Sequence, residues 1–490
     1  MKLSSLLLVL SVVLSPEALA ASPKELAKLS PVLATALASE ENADVLVRFT
    51  AQPDLRFATQ LEDRASRVRF VFESLKANAA ESQAKAVALL EKEGVAYRSF
   101  YIENAIHIPN ASKHLLAKLG ALSQTGELTV NSKMILPRLP AIEAMTSFED
   151  TLGEPADSLK AIGVDKVWAE TGHKGEGITV AGNDTGFAWE HPAIKRQYRG
   201  NTALGVSHAY NWHDSVHSIG SRCGANSIAP CDDDIHGTHT MGTMVGDDGG
   251  NNRIGVAPEA KWIGCRNMNA GTGTVASYLE CFEFFMAPYP MGSSPKDGNP
   301  AMAPHIINNS WGCPLGEGCK GNEFLDSVRA YKAAGILVVA AVGNDGPSCG
   351  TIGMPPGGYS GEVLGVAAMN HRNGAIAGFS SRGPSSWNSG VGVDVSAPGV
   401  NVRSSVPGGG YQSLSGTSMA SPHMAGVAAL LWSARPELIG KIDETIALLR
   451  RTAKPTASTQ SCGAFPGNAF PNAVFGSGIV DVYSAVKTPL

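Results

Sequence analysis

From residue 177 onward the chain alternates short apolar runs that end in turn residues with segments of helical pattern. The series reads GITVAGN, HGTHTMGTMVG, AKWIGCRNM, VASYLECFEFFM, HIINNSWG, a helix over 322–334, ILVVAAVGN and EVLGVAAMN. Strands that read as continuous apolar runs are buried on both faces, and interleaved helices supply the cover. The pattern therefore predicts an α/β fold, a mostly parallel sheet in a three-layer αβα domain. In such sheets ligands gather at the carboxyl ends of the strands, so chemistry is to be sought where these runs stop. With 490 residues and 43% hydrophobic content the chain can build so large a core.

The preceding stretch is of a different kind. Residues 43–49 read as a strand, 61–93 as a long amphipathic helix, 95–101 and 104–108 as strands, 111–122 as a helix and 127–136 as a last strand. That order is β-α-β-β-α-β, a small α+β ferredoxin-like domain, which by itself names no function. His107 and His114 fall in it and read as structural or surface residues. Its charges are dense and nearly balanced, whereas the later part is sparse and acidic within a total of −5. Neither part carries the basic stripe expected for nucleic acid or an anionic membrane.

Residues 137–158 are rich in Pro, Glu, Asp and Ser without periodicity and read as a linker open to cleavage. Met1-Lys2, an apolar run from Leu6 to Leu14 and Ala18-Leu19-Ala20 match a secretory signal cut after Ala20. Later apolar runs fall far short of the ~18 residues of a membrane span. The expected organisation is signal peptide 1–20, small domain 21–136, linker 137–158 and main domain 159–490.

All eight cysteines lie beyond residue 220. An even count behind an export signal favours disulfides, and no C-x-x-C pair argues for zinc. Cys223/Cys231 and Cys313/Cys319 are the expected short loops.

Four run or helix ends carry reactive side chains. GITVAGN ends in Asp184, a helix opens with His236, ILVVAAVGN ends in Asn344, and GTSMASPHMAG places Ser418 ahead of an apolar helix. Each has an ordinary reading alone: a turn aspartate, a helix-start histidine, an Asn-Asp turn and a serine N-cap. Together the motifs NDTG, HGTHTMGT, NNSWG, AVGNDG and GTSMASPH, in that order, resemble the subtilisin-like serine proteases, the subtilases, with a flavour of the bacillopeptidase F-like branch. The resemblance covers about residues 160–485. It implies that residues 21–136 are a propeptide that assists folding and then inhibits, and that the linker is the maturation site.

The resemblance further implies that Ser418 is the nucleophile, His236 its general base, Asp184 the partner that orients the imidazole, and Asn344 with the Ser418 N–H the oxyanion donors. Gly271 and Gly273 on one side and Ser310, Trp311 and Gly312 on the other would sandwich a peptide strand, with Ala341 to Gly343 walling a specificity pocket rimmed by Asp345. His239 and His423 are assigned to structure, since the H-E-x-x-H metal pattern is absent.

The function expected is a secreted serine endopeptidase acting on proteins or peptides through an acyl-enzyme, made as an autoprocessed zymogen. It would act as a monomer, outside the cell or in the periplasm, with no nucleic acid or membrane partner. No cofactor is required for the chemistry. Structural calcium stays unassigned, because Ala193 follows His191-Pro192 where many subtilases hold an Asp, and the 247–253 loop lacks the usual ligand pattern. A catalytically silent relative, an esterase and a metallohydrolase are the competing readings. The intact set of four residues, the lack of a G-x-S-x-G elbow and the lack of a metal motif argue against them in turn.

Overall fold

A computed structural model describes residues 28–136, 150–313, 317, 319–353 and 355–489. The expected signal segment and most of the expected linker lie outside these residues. The chain divides into two compact units: one formed by the described parts of 1–51, 81–99 and 104–130, the other by 52–80, 100–103 and 131–490. Three stretches of the expected propeptide thus cluster with the larger unit.

The small unit is built around a four-stranded sheet in the order Arg98–Phe100, Ala105–Ser112, Asn42–Phe49, Thr125–Val130. The central strand Asn42–Phe49 is antiparallel to both of its neighbours. Val45, Val47, Ile106, Ile108 and Leu128 form its core with Leu115, Leu116 and Leu119 of the helix Lys113–Ala121. This is the ferredoxin-like order, preceded by a helix, Pro31–Ser39, that the periodicity did not single out.

The expected strand 127–136 is broken. Asn131 Oδ1 accepts the Ala276 N–H at 2.9 Å and the Ser132 carbonyl accepts that of Val275 at 3.0 Å. These bonds satisfy first-turn amides of the helix Val275–Met286, so the chain turns and Lys133–Ile135 restarts as a separate strand. The linker reading also ends early, because the helix Asp157–Ala161 begins inside 137–158 and buries Ser158.

The large unit holds a seven-stranded sheet, every neighbouring pair of it parallel. Its order is Val395–Pro398, Leu364–Met369, Leu337–Ala341, Ile306–Asn309, Thr179–Asp184, Lys261–Arg266, Trp212–Asp214. Helices His236–Val245 and Thr417–Ala434 pack on each other and on the sheet, while Val275–Met286 and Leu325–Ala333 form the opposite layer. The burial of Val180, Ile306, Leu337, Val339, Leu364 and Val366 explains why the strands read as unbroken apolar runs. After Thr179–Asp184 the chain builds the two strands on one side and then crosses to Ile306–Asn309 on the other. Thr179–Asp184 therefore stands at the topological switch point, where a crevice opens beyond the strand ends.

Four disulfides join all the cysteines: Cys223–Cys231 and Cys313–Cys319, as expected, with Cys265–Cys281 and Cys349–Cys462.

Candidate active site

Asp184 ends the switch-point strand and His236 opens the facing helix. Their approach depends on Gly237, since a Cβ there would lie 2.1 Å from the Gly186 carbonyl oxygen. His236 Nδ1 is 2.8 and 3.0 Å from the two Asp184 carboxylate oxygens, and both side chains are buried. This fixes the tautomer with hydrogen on Nδ1 and leaves Nε2 free to take a proton. Nε2 is buried and has no hydrogen-bond partner among the described residues. Burial alone would depress the imidazole pKa, but the Asp184 charge and hydrogen bond, with Asp234 and Asp232 adding to them, carry it above its ordinary value.

Asp232 was not singled out by sequence reasoning, although it sits in the acidic run CDDDI just ahead of His236. It is fully buried, and Oδ1 accepts from Thr185 Oγ1 at 2.8 Å and the Asp234 N–H at 3.0 Å, while Oδ2 accepts from the Thr238 N–H at 2.9 Å. Thr185 Oγ1 in turn accepts the Gly237 N–H at 3.0 Å. One carboxylate thus ties the strand end bearing Asp184 to the helix start bearing His236. Desolvation pushes the Asp232 carboxyl up to about 6 against these hydrogen bonds.

Ser418 is the second residue of the helix Thr417–Ala434, where backbone N–H groups lack intrahelical partners. Its hydroxyl donates to the Ser310 carbonyl at 2.9 Å, so in this rotamer it is not bonded to His236. Catalytic hydrogen bonds of this kind often close only with substrate bound. Pro422 lies in the same helix and has no N–H, so it cannot serve the Ser418 carbonyl four residues before it. Ser310 Oγ is 2.9 Å from that carbonyl oxygen and takes the missing role. Ser310 and Ser418 are therefore cross-linked by two hydrogen bonds, an arrangement invisible in sequence.

Asn344 follows the strand Leu337–Ala341, and its Oδ1 accepts from both the N–H and the Oγ1 of Thr417, each at 2.9 Å. With Oδ1 occupied, the amide presents Nδ2 as a donor beside the helix start. Gly343, with φ of +105°, makes the turn between Ala341 and Asn344.

Gly271 precedes the strand Thr272–Thr274 and Gly273 is its middle residue, and the strand pairs antiparallel with Lys133–Ile135. A Cβ on Gly273 would lie 2.4 Å from the Asn267 carbonyl oxygen and 2.6 Å from the Tyr278 ring, so only glycine fits. Trp311 is buried, donates to the Asn183 carbonyl at 3.0 Å and meets Tyr278 edge-on with centroids 4.2 Å apart. Gly312 joins it to the Cys313–Cys319 loop.

His239 turns away from the site, its Nε2 lying 3.0 Å from the Val402 and Gln412 carbonyls, and burial lowers its pKa to about 3. His423 engages the Met419 carbonyl and Ser158 and is lowered to about 4 by burial. Both are neutral structural residues. In the 247–253 loop the Asp248 oxygens are taken by the Gly250 and Asn252 amides and the Asn252 side chain, and Arg403 reaches Asn252. Such a donor set does not fit calcium. Among the described residues no three His, Cys, Asp or Glu side chains converge on a metal position.

A parallel αβα domain with an Asp–His pair at the switch point and a serine heading a buried helix is the architecture of a subtilisin-like serine peptidase. The subtilase family profile matches residues 175–478, and the chain belongs to that family. It is 35% identical to bacillopeptidase F of Bacillus subtilis over 85% of its own length, but spans only 28% of that relative. It is 31% identical to subtilisin DY of Bacillus licheniformis over 67% of this chain and 97% of the relative. A thermostable alkaline protease of Halalkalibacterium halodurans is 35% identical over 54% of the chain and 58% of the relative.

Proposed function

We propose that the chain is an exported serine endopeptidase, made as a zymogen that processes itself. The observation that carries the catalytic reading is the buried Asp184–His236 pair, whose Nε2 has no protein partner among the described residues. His236 Nε2 takes the Ser418 proton as Oγ attacks the peptide carbonyl carbon, and the C–O π pair moves onto oxygen. The Ser418 N–H and Asn344 Nδ2 hold that oxyanion. When the tetrahedral centre collapses, the C–N bond breaks and the imidazolium gives its proton to the leaving amine. Water repeats the sequence on the acyl-enzyme and releases Ser418. Asp184 orients the imidazole and stabilises its cation throughout.

The edge strand Thr272–Thr274 is the place for a substrate backbone, with Ser310, Trp311 and Gly312 opposite and Ala341 to Gly343 walling the pocket. The segment before the cleavage region supports the zymogen reading: Lys133–Ile135 adds to that edge and the Leu136 N–H donates to the Gly271 carbonyl at 2.7 Å. Residues 21–136 then act as propeptide and intramolecular inhibitor, with maturation between 137 and 158. Four disulfides and the N-terminal apolar segment support export to an oxidising compartment. Among the described residues no helix is long and apolar enough to cross a membrane.

Expression of the wild type beside Ser418→Ala tests this reading. Only the wild type should yield a product cut between 137 and 158 and react with a serine-directed phosphonate. Equal processing of both proteins, with neither labelled, overturns it.

A further inference from the structure

We propose that Glu317 is a specificity residue, selecting a cationic side chain at the substrate position that faces Thr272. The inference deepens the peptidase reading above and rests on it. In an antiparallel pair, successive N–H groups of a strand point alternately toward and away from the partner. The Leu136 N–H goes to Gly271, so the Ile135 N–H faces outward, and there it meets Glu317 Oε2 at 3.1 Å. Ile135 is the residue paired with Thr272.

Among the described residues that N–H is the one hydrogen-bond donor to Glu317, and burial and this bond, not a neighbouring cation, set its pKa. The remaining residues between Cys313 and Cys319 are Pro314, Leu315, Gly316 and Gly318, none of them charged. Burial already pushes the Glu317 carboxyl above its ordinary range, with the Ile135 bond acting the other way. The buried Tyr278 hydroxyl, whose ring packs against Trp311, is pushed up by burial first and then by the charges of Asp184 and Glu317. The Cys313–Cys319 bridge closes the loop immediately after Gly312 and limits how far the carboxylate can withdraw.

When residues 133–136 leave the cleft, Glu317 loses its donor. Any substrate strand in the same register restores the N–H. A Lys or Arg at that position adds an opposite charge, and an acidic residue adds a like one. The resident segment has isoleucine there and forgoes the ion pair, so a basic substrate strand can compete with it.

The test measures kcat/KM of the mature enzyme on peptides varied one position at a time in an otherwise neutral sequence. Wild type should favour Lys or Arg over Glu about tenfold at one position. Glu317→Gln, which still accepts the N–H, should bring that ratio within about twofold, and Glu317→Lys should invert it, each ratio being taken within one protein because Glu317→Lys also gives up the N–H bond and should cleave every peptide, the neutral one included, less well. An unchanged profile in Glu317→Gln, with the neutral peptide still cleaved, overturns the role of Glu317 and leaves the peptidase reading standing. Failure of wild type to cleave any peptide overturns both.

Discussion

Asn344 is held to Thr417 by two hydrogen bonds of 2.9 Å, both accepted by the same amide oxygen. Residues 73 positions apart in sequence are thereby locked together, Asn344 to the residue before Ser418, with Nδ2 as the remaining donor of the amide. A donor pre-aimed in this way costs no reorganisation as charge develops. Asn344→Leu should lower kcat by about 10²–10³-fold with KM little changed. Steady-state kinetics checks this, and Thr417→Val, which removes one of the two anchors, should cause a smaller fall of the same kind.

With His236 as the proposed general base, its raised pKa should set the acid limb of the rate profile. Activity needs the neutral imidazole, so kcat/KM should fall as pH drops through a midpoint above the ordinary 6.5 of histidine. Asp232 is one of the carboxylates raising it. Asp232→Asn removes that charge and should shift the limb to lower pH, as a pH series on both proteins would record. The same variant should be less stable, because an amide cannot accept from every donor that now meets the carboxylate.

Ser310→Ala leaves the Ser418 carbonyl without its hydroxyl donor in a helix where Pro422 cannot replace it. An unsatisfied buried carbonyl costs about 1–3 kcal/mol. Chemical denaturation should show a loss of that size, accompanied by a fall in kcat because the displaced group belongs to Ser418 itself.

The Cys349–Cys462 bridge closes a stretch of 113 residues. Opening so long a loop costs about 5 kcal/mol on the chain-entropy account. Cys349→Ser paired with Cys462→Ser should therefore lower Tm clearly in a thermal melt.

Much of the architecture was legible because its signals are local. Apolar runs of strand length forecast the parallel sheet, and helix Val275–Met286 coincides with the run VASYLECFEFFM. Asp184, His236, Asn344 and Ser418, the residues proposed to react, were picked out because they stand where such runs stop or helices begin. What sequence could not supply were contacts between residues remote in the chain. Ser310 answers a carbonyl orphaned by a proline more than a hundred positions away, and Asp232 binds two motifs that read as independent. The strand forecast to continue to residue 136 is split because Asn131 and Ser132 serve a distant helix start. Periodicity reports which face of a segment is buried. Which hydrogen-bonding group meets which is decided only when the segments pack, since each buried donor or acceptor must then find a partner wherever the fold brings one.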